Sequence, residues 1–520
     1  MATQKIVVDP VTRIEGHLKV EVEIENGVVV DARTSGTMFR GLESLLYGRD
    51  PRDAVYVTER ACGVCASAHG WASSLALDEA FGAKVPAAGR IIRNLINAAM
   101  WLHDAPLHFY HLSALDFLDV MAVAEYKGND PGLLAVKEKI LKLVKAGDTA
   151  PLTPRYEPDE FCVSDPDIVI TAVAHYLKAL EMQAKAKKMS AIFAGKQPHH
   201  SSIVVGGVTC YPNLYQVEQY RSLLLEQIDF MENVYLPDVL AFGTGPLLPL
   251  AQADIGVTDL HFMSYGGFDQ SDSGDPFLPA GVIMNGDLSN IQTLDENKIT
   301  EDVSYSWYKE NANKSPYEEG TVPDLEKKDA YTFIKAPRYD GKPMEVGPLA
   351  RMLILQPPEL MNIVKQYQFK LGVVARHAAR AYEAVILSKQ MLKWLDELEQ
   401  LMGSKDFKIH DTDHWDPPAT GRGSGLTEVP RGSLGHFIKI KDHKVENYQM
   451  VVPTTWFMSP RDENGVMGPC ERALIGAPIP DPDNPINVVR IVRSFNPCIA
   501  CAVHLINPET NEIKKFQIGF

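Results

Sequence analysis

Two closely spaced cysteine pairs near opposite ends of this 520-residue chain constrain its fold more than any other feature. Cys62 and Cys65 lie in ERACGVCASAHG, and Cys498 and Cys501 lie in NPCIACAVH. Residues three apart share one face of a helix or of the turn that starts it, so each pair can direct two sulfur atoms at one ion. If both pairs form one site, the two ends of the chain meet, which favours a single compact domain.

Four thiolates together select a soft or borderline metal. The spacing is typical of a structural zinc site, and it also permits iron-sulfur ligation, a redox dithiol or a nickel centre. Structural zinc pairs usually lie tens of residues apart on a small ribbon that cannot fold without the metal, whereas this chain has ample apolar residues for a core. The seven cysteines are an odd number and too sparse for a disulfide framework.

The charge balance bears on the partners of the chain. Lys and Arg total 51 against 67 Asp and Glu, which gives a formal net charge of −16, so we expect no nucleic-acid partner. The opening residues, MATQKIVVDPVTR, lack the apolar core of a signal peptide, and apolar segments elsewhere are broken by Gly, Pro and Asp. We therefore expect a soluble chain without an export signal of its own.

Hydrophobic periodicity predicts a mainly helical α+β fold, with a central helical bundle, an N-terminal β-hairpin and peripheral strands. The hairpin is predicted over residues 17–34, with its turn at Asn26 and Gly27. Strands are also predicted over 435–454. Helices are predicted over 53–82, 87–120, 131–146, 169–196, 215–241 and 369–402, the last with a glycine cap. Long ordered loops are predicted over 243–345 and 403–430.

Several motifs together resemble the large subunit of nickel-iron hydrogenases. They are DPVTRIEGH, FRGLESLLYGRDPRDA, RACGVCASAH, HFYHLSALDF, APRYDGKPMEVGPLARM, VPRGSLGH and NPCIACAVH. These motifs are similar to those of the uptake-type periplasmic enzymes and of their nickel-iron-selenium branch. Because Cys498 stands where that branch has selenocysteine, we expect no selenium.

The resemblance implies a role for each cysteine of the two pairs. Cys62 and Cys498 would be terminal nickel ligands, while Cys65 and Cys501 would bridge nickel to an iron that carries carbon monoxide and cyanide. A thiolate-rich site of this kind polarises dihydrogen, and a nearby base accepts the proton. The resemblance also implies a magnesium site, whose ligands would be Glu43, the backbone carbonyl of Met450 and His504.

Other residues match family positions around the metals. Glu15 would accept a hydrogen bond from Cys498 and start the proton exit path. Arg431 would lie over the open face of the metals as a cyanide partner or alternative base, with Asp104 as its carboxylate partner. His69 would be the donor to a bridging sulfur. The pocket around the diatomic ligands would be formed by Pro453, Thr454 and Leu434.

Asn496 departs from the family pattern, which usually has Asp before the Pro-Cys pair, facing the arginine. The amide removes one negative charge next to Arg431. Without the resemblance, each of these polar residues would be interpreted as an ordinary surface, loop or core side chain.

The chain is thus interpreted as the catalytic large subunit of a nickel-iron hydrogenase, which oxidises dihydrogen reversibly. After four cysteines are used, no ferredoxin-like set remains, so we expect an iron-sulfur small subunit as partner in a heterodimer. That subunit would pass electrons to a downstream cytochrome or other carrier, and it would carry the export signal to the periplasm. Any membrane association would come through the partners.

The C-terminal segment is expected to be a maturation device. By the resemblance, residues 1–504 form the catalytic domain, and a nickel-dependent endopeptidase cuts after His504 to remove residues 505–520. The alternation in EIKKFQIGF also permits a permanent strand.

Two other interpretations remain open from the sequence. One is a respiratory-complex relative that has lost the metal and binds quinone, although such relatives lose the cysteines that stand here. The other is a zinc-stabilised scaffold without catalysis.

Overall fold

The computed structural model describes residues 4–153, 155–309, 313–318, 320 and 322–502. Its β-strands are Gln4–Val8 (β1), Leu18–Glu25 (β2), Val28–Gly36 (β3), Ile203–Val204 (β4), Gly207–Val208 (β5), Phe262–Asp269 (β6), Pro276–Ile283 (β7), Ile299–Asp302 (β8), Ala336–Tyr339 (β9), Glu345–Val346 (β10), Thr420–Val429 (β11), Gly432–Lys441 (β12) and Lys444–Val451 (β13). Its α-helices are Leu42–Leu46 (α1), Asp53–Thr58 (α2), Ala66–Phe81 (α3), Ala87–Pro106 (α4), Pro131–Ala146 (α5), Pro166–Ala194 (α6), Leu214–Phe230 (α7), Leu236–Thr244 (α8), Leu248–Gln252 (α9), Pro348–Leu355 (α10), Pro358–Gln366 (α11), Val373–Met402 (α12), Pro453–Phe457 (α13), Pro469–Leu474 (α14), Ile486–Ser494 (α15) and Ile499–Ala502 (α16).

The N-terminal hairpin is confirmed, and it belongs to a three-stranded antiparallel sheet in the order β1-β2-β3. Its turn residues, Asn26 (φ 55°) and Gly27 (φ 75°), both lie in the left-handed region that a two-residue hairpin turn of type I′ requires. Strand β1, which the sequence interpretation did not include, pairs with β2 in register from Gln4 to Val8.

The predicted helical bundle is confirmed: α4, α6, α7 and α12 pack against one another. Helix α5 coincides with the predicted 131–146, because the Asp130 side chain caps its first turn and Gly147 (φ 71°) ends it. Gly403 follows α12 with a right-handed φ of −79°, so it ends the helix without the left-handed geometry of a glycine cap. Among the helices in the described ranges, none has the length and apolar content that a membrane crossing needs.

The prediction of a single helix over residues 53–82 is wrong, because the helix is interrupted at the first cysteine pair. Helix α2 ends at Thr58, a 3-10 turn follows, and Cys62 is extended (φ −150°, ψ 143°) before α3 begins at Ala66. The Val64 N–H donates to Cys62 Sγ at 3.2 Å, so the loop is folded around the sulfur atom. Likewise the predicted 87–120 and 215–241 helices each change to a π-helical turn, at Leu107–Ser113 and Met231–Tyr235.

The long loop predicted over residues 403–430 is wrong in its second half, where β11 pairs with β12. The glycines of β11 are the sequence feature that indicated a loop. A Cβ at Gly423 would lie 2.2 Å from the Ala76 carbonyl oxygen, and one at Gly425 would lie 1.9 Å from that of Ala72. The glycines therefore allow the β11-β12-β13 sheet to pack closely on α3. The predicted 243–345 loop also contains strands, of which β6 and β7 form an antiparallel pair.

Candidate metal centre

Four cysteine sulfur atoms from opposite ends of the chain meet at one buried point. The Sγ atoms of Cys62, Cys65, Cys498 and Cys501 all lie within 4.8 Å of one another. Cys498 Sγ is 3.4 Å from that of Cys62 and 2.8 Å from that of Cys501, and Cys65 Sγ is 3.1 Å from that of Cys501. All four are free cysteines rather than disulfides. Four converging soft donors without a disulfide fit a thiolate-held metal centre.

Arg40 joins the two cysteine segments, and the sequence interpretation did not identify it. Its guanidinium donates to the backbone carbonyl of Ala61, just before Cys62, and to that of Ala500 at 2.6 Å, between the other two cysteines. A planar guanidinium can donate in two directions from one rigid group, which suits this bridging position. The FRGLES motif contains Arg40, but only the tertiary contact shows its partners.

Glu15 reaches the centre because its own backbone pairs with the C-terminal cysteine segment. Its carbonyl accepts from Ile499 N–H at 2.8 Å, and its Oε2 lies 3.1 Å from Cys498 Sγ and 3.0 Å from Ala500 N. Burial raises the pKa of Glu15, and the neighbouring Cys62 adds to the increase. The site thus holds a carboxyl group with an elevated pKa against a sulfur atom.

The neighbouring Gly16 is required by this pairing. Its φ is +85°, and a Cβ there would lie 2.8 Å from Ala500 N and 2.9 Å from Ile499 Cβ. The RIEGH motif therefore supplies both a carboxylate and the space that lets it approach the metal site.

Arg431, Asp104 and Asn496 form a buried polar group beside the sulfur atoms. Arg431 Nη2 lies 2.9 Å from Asp104 Oδ1, and Arg431 Nε donates to the Asn496 carbonyl at 3.0 Å. The Asn496 side-chain amide donates to Asp104 Oδ2 at 2.7 Å. Burial opposes the charge on Arg431, but Asp104 and the cysteines raise its pKa, which argues against Arg431 as an alternative base.

A small enclosed cavity lies over the sulfur atoms. Its lining includes Arg431, Leu434, Pro453 and Thr454, together with His69. Arg431 Nη1 is buried and has no hydrogen-bond partner among the described residues. Thr454 Oγ1 accepts from Cys498 N–H at 3.0 Å, which leaves the hydroxyl proton available as a donor. Apolar walls with unused donors are suited to small ligands that accept hydrogen bonds.

His69 also contacts the sulfur cluster, with Nε2 3.3 Å from Cys501 Sγ. Glu43 is buried, and its Oε1 accepts from the backbone N–H of Met450 at 3.0 Å. The structure therefore places Glu43 against the backbone of Met450, through the N–H of Met450 rather than the carbonyl that is the predicted ligand. The third predicted ligand, His504, and residues 505–520 lie outside the described residues.

Comparison with known proteins identifies the family. The family described as "Nickel-dependent hydrogenase" matches residues 40–504, and one described as "HoxL-like" matches residues 5–37. The chain belongs to the nickel-dependent hydrogenase family. It is 39% identical to the periplasmic [NiFeSe] hydrogenase large subunit of Desulfomicrobium baculatum, over 98% of this chain and 96% of that protein. It is 36% identical to the uptake hydrogenase large subunit of Bradyrhizobium diazoefficiens, over 99% and 97% respectively.

Solved structures agree with this assignment. The Ni-Fe-Se hydrogenase of D. vulgaris Hildenborough in the reduced state has a TM-score of 0.85 and 40% sequence identity, with 97% of this chain and 100% of that chain covered. The chain is therefore a catalytic large subunit of a nickel-dependent hydrogenase, which implies a small-subunit partner. The cysteine cluster could hold its metal centre. The family favours the nickel interpretation over the zinc scaffold and the metal-free relative.

Proposed function

We propose that this subunit catalyses the reversible heterolytic oxidation of dihydrogen at a nickel-iron centre held by Cys62, Cys65, Cys498 and Cys501. The observation that carries this proposal is the convergence of the four buried sulfur atoms within 4.8 Å. In our assignment Cys62 and Cys498 would hold nickel, while Cys65 and Cys501 would be ligands of both nickel and iron. When bound, this centre supplies the Lewis acidity that polarises dihydrogen and the redox capacity that takes up its two electrons.

In this proposal Glu15 moves the proton away from the centre. Its Oε2 is within hydrogen-bond distance of Cys498 Sγ, which is the geometry that a general base needs. Glu15 is partly exposed, unlike the four cysteines, so it connects the buried sulfur atoms toward solvent.

Arg431 and its partners would shape the open face of the centre. Asp104 holds the guanidinium in place, and the unused Arg431 Nη1 is available to a cyanide nitrogen on the iron. The Thr454 hydroxyl would donate to another such ligand, while Pro453 and Leu434 would exclude water. His69 would donate to the bridging Cys501 sulfur.

We also propose a magnesium site at Glu43, with the Met450 carbonyl and His504. The contact between Glu43 and the Met450 backbone supports it, because it puts a buried carboxylate beside that residue's backbone. Oxygen ligands and retained water suit magnesium. Magnesium in the purified enzyme, lost on Glu43→Gln, is the expected result.

Residues 505–520 are proposed to be a maturation peptide, removed after His504 by an endopeptidase once the metals are loaded. The remaining residues 1–504 would then be the mature catalytic domain. Mass spectrometry should show a chain that ends at His504 in active enzyme and at Phe520 in protein made without nickel. A nickel-replete, fully active enzyme that retains residues 505–520 would contradict this part alone.

The small subunit is proposed to carry iron-sulfur clusters that receive the electrons and pass them to a cytochrome or another carrier. We propose a periplasmic location, reached by export together with that subunit. The name of the Desulfomicrobium baculatum relative supports this location. Cell fractionation should recover both subunits from the periplasm, with any membrane association dependent on the partners.

The central test is metal analysis of the purified heterodimer, combined with dihydrogen uptake on an artificial acceptor. We expect nickel and iron, and we expect Cys62→Ser or Cys501→Ser to lose nickel, because a hydroxyl is a poor ligand for a soft metal. Cys210→Ser, at a half-buried cysteine outside the cluster, is the matched control. Zinc in place of nickel, or unchanged nickel in both ligand variants, would contradict the assignment.

A further inference from the structure

A buried chain of hydrogen-bonding side chains leads away from the centre on the side of Cys501. His69 Nε2 lies 3.3 Å from Cys501 Sγ, and His69 Nδ1 lies 3.2 Å from His436 Nε2. His436 Nδ1 is 2.7 Å from the Tyr448 hydroxyl, which in turn is 2.9 Å from Ser73 Oγ. Neither His436 nor Tyr448 is among the proposed metal ligands.

These four side chains are shielded from water. His69 is 1% exposed, and His436, Tyr448 and Ser73 are fully buried. His69 and Ser73 lie one turn apart on α3, while the other two side chains come from the adjacent strands β12 and β13, which pair with each other. Hydrogen bonds in such an environment are strong, because no water competes for their donors and acceptors.

In this series of side chains, the donor and acceptor of one hydrogen bond determine which atom donates in the next. A neutral imidazole has one N–H donor and one nitrogen acceptor, so a bond at one nitrogen sets the role of the other. In the structure the Tyr448 hydroxyl donates to Ser73 Oγ, which leaves its oxygen to accept from His436 Nδ1. Burial raises the pKa of Tyr448, so the hydroxyl keeps its proton in either direction.

A metal-bound thiolate at Cys501 requires each of these hydrogen bonds to run the other way, because the thiolate has no proton and can only accept. His69 must then donate from Nε2 and accept at Nδ1 from His436 Nε2–H. His436 Nδ1 in turn needs a donor. The Tyr448 hydroxyl can provide it by rotating about its C–O bond, from Ser73 to His436.

We propose that Tyr448 and His436 are positioning residues, which hold the His69 N–H on the Cys501 sulfur when that sulfur is a metal-bound thiolate. The proposal rests on the nickel-iron function proposed above. A hydrogen bond to a ligand sulfur withdraws electron density from the metals and raises their reduction potential. The two residues would therefore tune the reduction potential of the centre without contacting the metals or their ligands.

Tyr448→Phe tests the proposal, because it removes the hydroxyl and keeps the ring. We expect the infrared bands of the carbon monoxide and cyanide on iron to shift to lower wavenumber, and the reduction potential of the centre to become more negative. Ser73→Ala is the matched control. In the proposed direction Ser73 accepts nothing from Tyr448, so its bands should stay at the wild-type positions.

A second pair of variants separates positioning from packing. In His436→Gln the side-chain amide can donate to His69 without help from Tyr448. Adding Tyr448→Phe to this background should therefore cause no further shift, as a double-mutant cycle measures directly. If Tyr448→Phe alone fails to assemble the centre, the comparison of His436→Gln with the double variant still tests the positioning role.

Wild-type band positions in Tyr448→Phe, or an equal shift with and without His436→Gln, would overturn the positioning role. Absence of these bands from the unmodified enzyme, together with absence of nickel and iron, would instead contradict the proposed function on which it rests.

Discussion

Asn496 donates its side-chain amide to Asp104 Oδ2 at 2.7 Å, while its backbone carbonyl accepts from Arg431 Nε at 3.0 Å. Its φ of 59° lies in the left-handed region, which Asn tolerates better than most residues. One residue therefore contacts both members of the buried ion pair. An Asp at this position would put two carboxylates against each other, so the amide of Asn496 suits the contact that this chain makes.

A charge exchange between the two positions tests that relationship. Asp104→Asn removes the carboxylate that pairs with the buried Arg431, so we expect the free energy of unfolding to fall by about 3–5 kcal/mol. Adding Asn496→Asp restores one carboxylate and one amide across the same contact. The double variant should recover much of the loss in urea unfolding. A double variant no more stable than Asp104→Asn would show that the pair does not act as a unit.

Glu15→Gln should keep both metals and lose most turnover, because an amide fills the space next to Cys498 but cannot relay a proton. The expected loss is on the order of 10²-fold or more, the usual contribution of a general base. Isotope exchange between dihydrogen and heavy water should fall with it. Glu23→Gln, at an exposed carboxylate on β2, is the control. Exchange at the parent rate in Glu15→Gln would show that the proton leaves by another route.

Gly16→Ala should displace the segment that carries Cys498 and so reduce nickel retention. The added Cβ would meet Ala500 N at 2.8 Å, in addition to the strain of φ +85°. Gly48→Ala is a matched control, because Gly48 has a similar φ of +74° and nothing within 4 Å of the added atom. It should cost about 1 kcal/mol of stability and leave the metal content unchanged. Equal metal loss in both variants would attribute the effect to backbone strain alone.

Glu471 should make stability depend on pH. Burial raises its pKa from 4.5 to about 7, and its Oε1 accepts from the Thr34 N–H and the Tyr331 hydroxyl. Because the folded pKa is the higher one, the stabilisation is complete below about pH 4.5 and is lost as the pH rises through about 7. The loss is on the order of 3 kcal/mol.

Glu471→Gln should not show that loss, since the amide oxygen can accept both hydrogen bonds without titrating. The measurement is the free energy of unfolding of both proteins at about pH 5 and about pH 8. The advantage of the wild-type protein over the variant should shrink at the higher pH. Parallel pH profiles would rule out Glu471 as the source.

The sequence by itself determined those features that short segments encode. Helix α5 lies where Asp130 and Gly147 provide its two ends, and the first hairpin turns where Asn26 and Gly27 permit positive φ. The four cysteines and their motifs were also sufficient to indicate the family and a shared site. Each of these signals lies in neighbouring residues, where local geometry and spacing decide the outcome.

Only the tertiary structure decided which distant groups meet. Arg40 joins the two cysteine segments, and Tyr448 and His436 extend the contacts of His69, yet no local pattern marks these partners because each contact joins separate parts of the chain. The glycines of β11 indicated a loop, because a strand that packs against the backbone of α3 cannot carry the alternating side chains by which strands are recognised. Close packing removed the sequence signal of that strand, and it is the same packing that places α3 and His69 beside the sulfur atoms.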